Sequence, residues 1–316
     1  MRRHGLYAAS SISVRLLQNG TGRADGDFRG RKEQVMSYKI TVLCENTVPV
    51  PGLIGEHGFA AYVETPDAVL LFDTGQGFGL IQNALRLKKD LTKVDKLVLS
   101  HGHFDHTGGM LAFLGVRGPC PVAAHPDVLL ERFRYMLVGP VEKPVSIGMP
   151  WREAYLVTRG AQFQWVESFS EIAPNVFLSG EVPRRTAFET GDPKFVIRSN
   201  GDWSPDPFRD DYSLAVKTAK GLVVLLGCAH AGLINILEHL TSQSGESRVY
   251  AVLGGTHLGF SPAAQLEKTM EALKKFDVQI LAVSHCTGQA PIARLSAEFG
   301  SRFAFAPVGY VLEVDG

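Results

Sequence analysis

The amino-acid sequence predicts an α/β fold, in which helices alternate with strands. The C-terminal half repeats one unit three times: an apolar strand, a polar loop that carries a histidine, and a helix. These units are GLVVLLGCAHAG, RVYAVLGGTHLG and VQILAVSHCTG, which begin at Gly221, Arg248 and Val278. In the N-terminal half, LSHGHFDHTGG places three histidines and an aspartate directly after another apolar run. In such an architecture reactive side chains gather at strand ends, so we expect these residues to form one site.

The N-terminal half is predicted to be rich in strands. YKITVLCE, which begins at Tyr38, is followed by a hairpin, GFAAYVETPDAVLLFDTG, whose turn lies at Thr65–Pro66–Asp67. The strand Lys96–Ser100 leads into the histidine loop, and a further strand is predicted at Cys120–Ala124. Helices are predicted at 79–87, after 108–109, from about 128, and at 232–241, 262–276 and 290–299.

The first 35 residues differ from the rest of the chain. They are rich in Arg, Gly and Ser without a sustained hydrophobic period, which predicts a disordered N-terminal extension. A targeting segment is disfavoured there, because the apolar patches are short and lack a clear cleavage site. From Met36 the sequence alternates like a strand, and residues 36–316 are predicted to form a single domain. An insertion or cap is predicted at about 135–175, where aromatic residues occur among prolines and glycines.

Length and composition limit the function classes. The 316 residues are 45% hydrophobic, which is enough for one large domain or two small ones. Lys+Arg and Asp+Glu both number 32, so no excess charge favours binding to nucleic acid or to a membrane surface. No apolar run reaches the roughly 18 residues of a membrane span. We therefore expect a small-molecule substrate and no nucleic-acid or membrane partner, and we leave a homo-oligomer open.

The cysteines bear on the compartment. Cys44, Cys120, Cys228 and Cys286 include no CxxC pair. A chain of this length does not need disulfides in order to fold, so we expect free thiols and a cytoplasmic location. A disulfide among the four cysteines is the alternative that their even number leaves open.

The loop HGHFDH has the donor types of a metal site. His101 and His103 lie two residues apart and share a face in extended geometry, so both can reach one point. Asp105 and His106 follow on the next bend and can reach a second point. Neutral imidazoles and a carboxylate suit Zn²⁺, Fe²⁺ or Mn²⁺. Four donors exceed what one catalytic metal needs from a single loop, which suggests two metals.

Histidines at the other strand ends are candidates to complete the site. They are His230, His257 and His285, and His285 follows ILAVS much as His101 follows KLVLS. A lone histidine at a strand end is more often a hydrogen-bonded structural residue than a ligand. Because the loop lies in the same chain, we expect His230 and His285 to be ligands and treat His257 as a candidate catalytic residue.

The motif HGHFDH matches the HxHxDH signature of the metallo-β-lactamase superfamily, and LLFDTG resembles the aspartate-bearing strand that precedes it. This resemblance covers about residues 38–316 and implies an αββα sandwich, two mixed β-sheets flanked by helices. It also implies one or two divalent metals, with zinc favoured and Mg, Mn or Fe left open. The implied ligands are His101 and His103 for the first metal, and Asp105, His106 and His285 for the second. Asp73 would stabilise the loop without binding metal.

One position departs from the usual pattern of the superfamily. Most members present a bridging aspartate after a strand, in text such as GD, whereas this chain reads LLGCAHAG. Cys228 occupies the place where that aspartate might lie, and His230 follows two residues on. A thiolate can ligate soft metals, but Cys228 would equally serve as a small buried apolar side chain. Both alternatives stay open, and the missing aspartate leaves occupancy of the second metal position open as well.

Several segments resemble one branch of the superfamily more closely. They are ENTV, GEHGFAAYVE, SGEVPR, GLVVLLGCAHAGL, GGTHL and SHCTG. They look like the branch of the 7,8-dihydropterin-6-ylmethyl-4-(β-D-ribofuranosyl)aminobenzene 5′-phosphate synthases. That reaction joins a pterin methyl diphosphate to an aminobenzene ribose phosphate and releases diphosphate. The resemblance implies a metal-dependent transferase that acts on phosphorylated, aromatic substrates.

Some residues suit a phosphorylated substrate independently of the resemblance. Arg184 and Arg185 can clamp a phosphate, and Gly255 and Thr256 offer backbone amides to an anion. The alternatives are a solvated loop for the arginines and a tight turn for the glycine. Glu181 is a candidate acid, base or metal ligand, or else an ion-pair partner of the arginines.

Three functions follow from these observations. The first is the transferase, in which metal and arginines stabilise the departing diphosphate. The second is a binuclear hydrolase of phosphodiesters, thioesters or lactones, in which two metals generate hydroxide and Asp105 orients it. The third is a metal-binding module without turnover. The near-complete ligand set disfavours the module, and GCAHAG in place of a GD text disfavours an ordinary hydrolase.

Overall fold

The computed structural model describes residues 37–315. The disordered extension predicted for residues 1–35 lies outside the described residues. Among the described helices, none combines the length and the apolar character needed to cross a membrane.

The strands and helices are numbered in chain order. The strands are β1 Ser37–Cys44, β2 Ala60–Glu64, β3 Val69–Phe72, β4 Lys96–Val98, β5 Cys120–Ala124, β6 Glu131–Val138, β7 Val141–Ser146, β8 Ala161–Trp165, β9 Ser170–Ala173, β10 Val176–Leu178, β11 Phe195–Ser199, β12 Asp202–Pro205, β13 Ser213–Thr218, β14 Gly221–Leu226, β15 Val249–Gly255, β16 Ile280–Ser284, β17 Phe303–Phe305 and β18 Val311–Asp315. The α-helices are α1 Leu80–Arg86, α2 Phe104–Thr107, α3 Met110–Arg117, α4 Glu153–Thr158, α5 Leu233–Ser244, α6 Ala263–Lys275 and α7 Gln289–Phe299.

Two mixed seven-stranded sheets form the centre of the fold. The first has the order β18-β1-β2-β3-β4-β5-β8, and the second has the order β17-β16-β15-β14-β13-β10-β9. The predicted hairpin is confirmed: β2 pairs antiparallel with β3, and Thr65 Oγ1 accepts hydrogen bonds from the Asp67 and Ala68 amides in the turn. In each sheet the strands that lead to the histidine loops are parallel.

Apolar side chains pack the two sheets against each other, and helices cover their outer faces. Ile40 and Phe72 of the first sheet meet Leu214 and Leu253 of the second in a buried layer. The outer face of the first sheet packs on α1 and α3, and that of the second packs on α5, α6 and α7. The predicted αββα sandwich of two mixed sheets is thus confirmed. Burial of these apolar faces is the main favourable contribution to folding.

A third, four-stranded sheet has the order β12-β11-β6-β7. The sequence predicted a helix from about Val128, and this prediction was wrong. Residues Pro126–Leu129 form a single 3₁₀ turn, and β6 begins at Glu131. The segment pairs with β11 and β7, so tertiary pairing overrides the local preference of ERFRYMLV.

The segment predicted as an insertion or cap is divided between three sheets. Its first part forms the β6–β7 hairpin of the third sheet. Beyond α4, β8 pairs in parallel with β5 at the edge of the first sheet, and β9 pairs with β10 at the edge of the second. Residues 161–173 therefore extend the sandwich, and the part that stands outside it is smaller than predicted. The single domain over 36–316 stays a prediction.

The parallel register brings the three repeated units to one edge of the second sheet. Leu226 of β14 lies beside Gly254 of β15, and Gly255 lies beside Ser284 of β16. The residues that follow these strands therefore emerge side by side. The helices predicted after them agree with α5, α6 and α7 to within a few residues at each end.

Candidate metal centre

Two groups of donor atoms converge at this edge, and each contains residues from both halves of the chain. In one group, donor atoms of His101, His103 and His230 all lie within 4.8 Å of one another. In the other, donor atoms of Asp105, His106 and His285 do so. The His106 and His285 Nε2 atoms are 3.3 Å apart, and Asp105 Oδ2 lies 3.4 Å from His285 Nε2. The predicted ligands thus lie together, and their role in binding metal stays a prediction.

Asp73 supports the loop from behind, in the position that the resemblance implied. Its carboxylate accepts hydrogen bonds from the Ser100 amide and hydroxyl, each at 2.7 Å. It also accepts from His106 Nδ1 at 2.7 Å. Because the Ser100 hydroxyl donates to Asp73, it accepts from His101 Nδ1 at 2.8 Å. These contacts leave the Nε2 lone pairs of His101 and His106 directed at the site.

His285 is held by two residues that sequence reasoning missed. Glu45 Oε1 accepts from the His285 amide at 2.8 Å, and Asn46 Oδ1 lies 2.9 Å from His285 Nδ1. The Nδ1 proton therefore points to Asn46, and the Nε2 lone pair faces Asp105. The segment ENTV, which contains both residues, was noticed only for its resemblance to relatives. No local pattern indicates that it would reach a histidine more than 200 residues away.

Two fully buried imidazole nitrogens of the donor groups lack hydrogen-bond partners within the described residues. These are the buried Nε2 atoms of His103 and His230. Burial lowers the pKa of His101, His103 and His230 well below the usual value, so these rings are neutral near pH 7. Neutral imidazole is the form that binds metal. The orphaned atoms and the donor chemistry therefore fit a divalent cation.

Asp105 is the acidic donor of the second group. Burial alone would raise its pKa, but His106 and His285 beside it hold that pKa well below the usual range. Asp105 Oδ2 also lies 3.3 Å from Nε2 of the half-exposed His57. The carboxylate is thus ionised and has imidazoles on more than one side.

Backbone strain is concentrated around the donors. Asp73, Ala229, His257 and His285 all have φ between 51° and 59°, a region that non-glycine residues seldom occupy. Gly227 adds a close approach, because a Cβ there would lie 2.5 Å from the Cβ of Ser100. Strain of this kind persists where the surrounding packing enforces it, and functional sites are the usual place.

A buried ion network lies beneath the histidine loop, and sequence reasoning missed it. Arg132 is fully buried and donates to Asp206 at 2.7 Å and to Asp210 at 2.5 Å. Asp210 Oδ2 in turn accepts from the amide of Gly102, in the middle of HGHFDH. The network joins the third sheet to the loop. Arg132 lies in the segment that the sequence predicted as a helix, and nothing in that pattern indicates a buried ion pair.

A cavity of about 670 Å³ opens beside the histidines. Phe195, Phe208 and Phe260 contribute to its wall, together with His257 and His230. The Phe208 ring stacks on His230 with 4.1 Å between centroids, and the Phe260 ring lies 4.7 Å from that of His257. Burial lowers the pKa of His257 to about 4. The predicted substrate residues Arg184 and Thr256 also line this cavity.

Some predicted contributions to the site are not found at the two donor groups or the cavity, namely those of Glu181, Arg185 and the backbone amides of Gly255 and Thr256. Glu181 is outside the two donor groups and the cavity lining, and its Oε1 lies 3.2 Å from His125 Nε2. The Arg185 side chain is exposed and does not line the cavity. Gly255 ends a strand, and its amide already donates to the carbonyl of Gly227. The Thr256 amide likewise donates to Thr287 Oγ1 at 3.2 Å. These amides are therefore not available to an anion.

Comparison with known proteins agrees with this geometry. The sequence profile of the metallo-β-lactamase superfamily matches residues 53–183. The crystal structure of Tm1679, a metal-dependent hydrolase of the β-lactamase superfamily, is similar with a TM-score of 0.76. The two sequences are 30% identical, over 88% of this chain and 100% of that one. The chain belongs to the metallo-β-lactamase superfamily.

Two proteins from Methanocaldococcus jannaschii are similar to this chain over most of their length. One is 7,8-dihydropterin-6-methyl-4-(beta-D-ribofuranosyl)-aminobenzene-5'-phosphate synthase, 29% identical over 273 residues, which are 82% of this chain and 90% of the synthase. The other, MJ0448, is 29% identical over 278 residues, which are 87% of this chain and 100% of that protein. Membership of the superfamily implies binding of a divalent metal, and the donor groups described above fit one.

Proposed function

We propose that the protein is a metal-dependent transferase that acts on a phosphorylated, pterin-like aromatic molecule and releases diphosphate. The observation that carries this proposal is the 29% identity with the M. jannaschii synthase over 82% of the chain. The name of that relative describes a phosphorylated product with a dihydropterin and an aminobenzene ring. Aromatic side chains and an arginine, which suit a phosphorylated aromatic compound, line the cavity beside the donors.

The cavity supports an aromatic substrate through its walls. Phe195 and Phe208 lie edge to face with 5.4 Å between centroids, and Phe260 faces the same space. Flat rings gain offset-stacked or edge-to-face contacts with such side chains. Arg184 is the arginine among the residues that line the cavity, and a guanidinium suits a phosphate group.

The proposed ligands are His101, His103 and His230 for one metal, for which zinc is the favoured ion, and Asp105, His106 and His285 for another. Such ions would polarise phosphoryl oxygens and lower the pKa of water. Asp105 is ionised and within reach of both His106 and His285, so it can hold and orient a polar group of the substrate. The neutral His257 ring lies at the cavity wall and can accept a proton there. The aromatic walls exclude water from the same space.

The test is to supply dihydropterin methyl diphosphate and an aminobenzene ribose phosphate to the metal-loaded protein, and to measure diphosphate together with the joined product. Arg184→Ala should raise KM by about tenfold, because a hydrogen bond to a charged group is lost. Arg185→Ala is the matched control, since this neighbour does not line the cavity. Equal effects of the two substitutions, or no joined product, would contradict the proposal.

A binuclear hydrolase is the second candidate, favoured by the 30% identity with the metal-dependent hydrolase Tm1679. The same donors would then serve attack by hydroxide on a phosphodiester, thioester or lactone. A screen of these three classes without a second substrate separates the candidates. Hydrolysis at rates above those of the metal-free protein, with no joined product in the coupled assay, would favour the hydrolase.

A further inference from the structure

Cys228 and Cys286 lie beside the second donor group. Both side chains are buried, and Cys286 directly follows His285 in the chain. Donor atoms of Cys228, His285 and Cys286 all lie within 4.8 Å of one another. Cys228 Sγ is also 3.2 Å from His106 Nε2. Two sulfur atoms therefore adjoin the pair formed by His106 and His285.

A missing side chain makes room for the second sulfur. A Cβ on Gly255 would lie 2.6 Å from Cys286 Sγ and 3.3 Å from His285 Cδ2. The Cys286 thiol thus fills the space that any larger residue at the end of β15 would need. The amide of His257 donates to Cys286 Sγ at 3.3 Å, which holds the sulfur in this place. Glycine at 255, at the end of β15, leaves space for the thiol of Cys286, which lies in the 3₁₀ turn directly after β16.

We infer that Cys228, Cys286 and His285 form a thiophilic metal site that overlaps the Asp105–His106–His285 group at His285. The inference rests on the metal-binding part of the proposed function. The two thiolates and the imidazole of this site suit Zn²⁺ or Fe²⁺. The Asp105–His106–His285 group, which contains a carboxylate, suits harder ions such as Mn²⁺ or Mg²⁺. Each thiol that binds releases its proton to solvent.

The overlap has a chemical consequence. The two sets share one imidazole, so a single ion at this end of the site takes one set or the other. A soft ion is drawn to the sulfurs, which leaves Asp105 free for substrate. A hard ion takes Asp105, which leaves the two thiols protonated.

The experiment uses the full chain, reduced and stripped of metal with a chelator, and then titrated with Co²⁺. Sulfur ligands give Co²⁺ a near-ultraviolet charge-transfer band that nitrogen and oxygen ligands do not give. We expect this band in the unaltered protein and in Cys120→Ser, a buried cysteine outside the donor groups of the described residues. Cys228→Ser and Cys286→Ser should each lose roughly half of it, and the double variant all of it.

Two outcomes would overturn the inference: bound Co²⁺ without the band in the unaltered protein, or a band that survives in the double variant. Absence of the band in the unaltered protein overturns the inference even where a variant fails to fold. Competition between Zn²⁺ and Mn²⁺ gives a second measurement. The preference of Cys286→Ser for Zn²⁺ over Mn²⁺ should be at least about tenfold lower than that of the unaltered protein. Neither measurement depends on turnover. A protein that shows the band but forms no joined product would retain this site and refute the transferase.

Discussion

The two halves of the donor cluster are built in different ways. The first half, His101 to His106, comes from one segment after β4 that includes α2. Asp73 accepts hydrogen bonds from Ser100 and His106, and Asp210 accepts one from the Gly102 amide. The second half comes from loops after separate strands, with His230 after β14 and His285 after β16. The donors of the first half are close neighbours in the chain, whereas those of the second are brought together by the register of parallel strands. The motif HGHFDH therefore predicts the first half of the donor cluster, but not the second half that completes it.

The largest expected effect comes from removing a donor from either half. His103→Ala and His230→Ala should release the same metal, because their donor atoms belong to one group. Asp105→Ala should release the other, and each variant should fall to the turnover of the metal-free protein. Elemental analysis and activity measure these losses, and His239→Ala, whose ring bonds the Ser179 carbonyl, is the control. If His230→Ala kept its full metal content, His230 would not be a ligand of the metal that His103 binds.

The support beneath the first half is expected to dominate stability. Arg132→Met leaves the buried carboxylates of Asp206 and Asp210 unpaired, which should lower the free energy of unfolding by about 3–5 kcal/mol. Urea unfolding of the metal-free protein measures this. The surface pair of Arg248 with Glu246 gives the control, and Arg248→Met should leave the free energy of unfolding nearly unchanged. Similar losses in both variants would show that the network does not anchor the loop.

Acidification tests both halves together. Burial holds the folded-state pKa of His101, His103 and His230 well below 6.5, so only the unfolded chain takes up these protons as the pH falls. Their contribution to stability is thus present above pH 6.5 and is lost progressively below it. Each proton is worth about 1.4 kcal/mol per pH unit, so three give a slope of up to about 4 kcal/mol per unit.

Unfolding of the metal-free protein between pH 7.5 and 5.5 checks this slope. His230→Gln should reduce it by about one proton, or roughly a third. A slope that His230→Gln leaves unchanged would place this ring in its charged form in the folded state.

The smallest expected effect distinguishes the residues that position the ligands. Asp73 contacts Ser100 and His106, whereas Glu45 contacts the backbone of His285 and Thr47. Asp73→Asn should weaken metal binding by about a hundredfold and Glu45→Gln by about tenfold. A chelator competition measures both. Equal losses would mean that the two halves rely on their supports to the same degree.

The alternation of apolar strands, histidine loops and helices predicted the α/β architecture, and the resemblance to the superfamily supplied the αββα sandwich. The loop HGHFDH predicted one side of the site, since its donors are close in sequence. The third sheet was missed because Arg132 and Phe133 read as helical until β11 pairs with them. Cys286 was passed over because its reach depends on the space beside Gly255, which only the packed strands define.

The contact between Gly227 and Ser100 ties together positions that are far apart in the chain. A methyl group at 227 would collide with the Ser100 side chain, whose hydroxyl serves both Asp73 and His101. Shrinking residue 100 to glycine would relieve the collision but remove that hydroxyl. Random mutagenesis should therefore recover almost no functional replacements at 227. The tolerance of this one position to substitution is set by a partner 127 residues earlier.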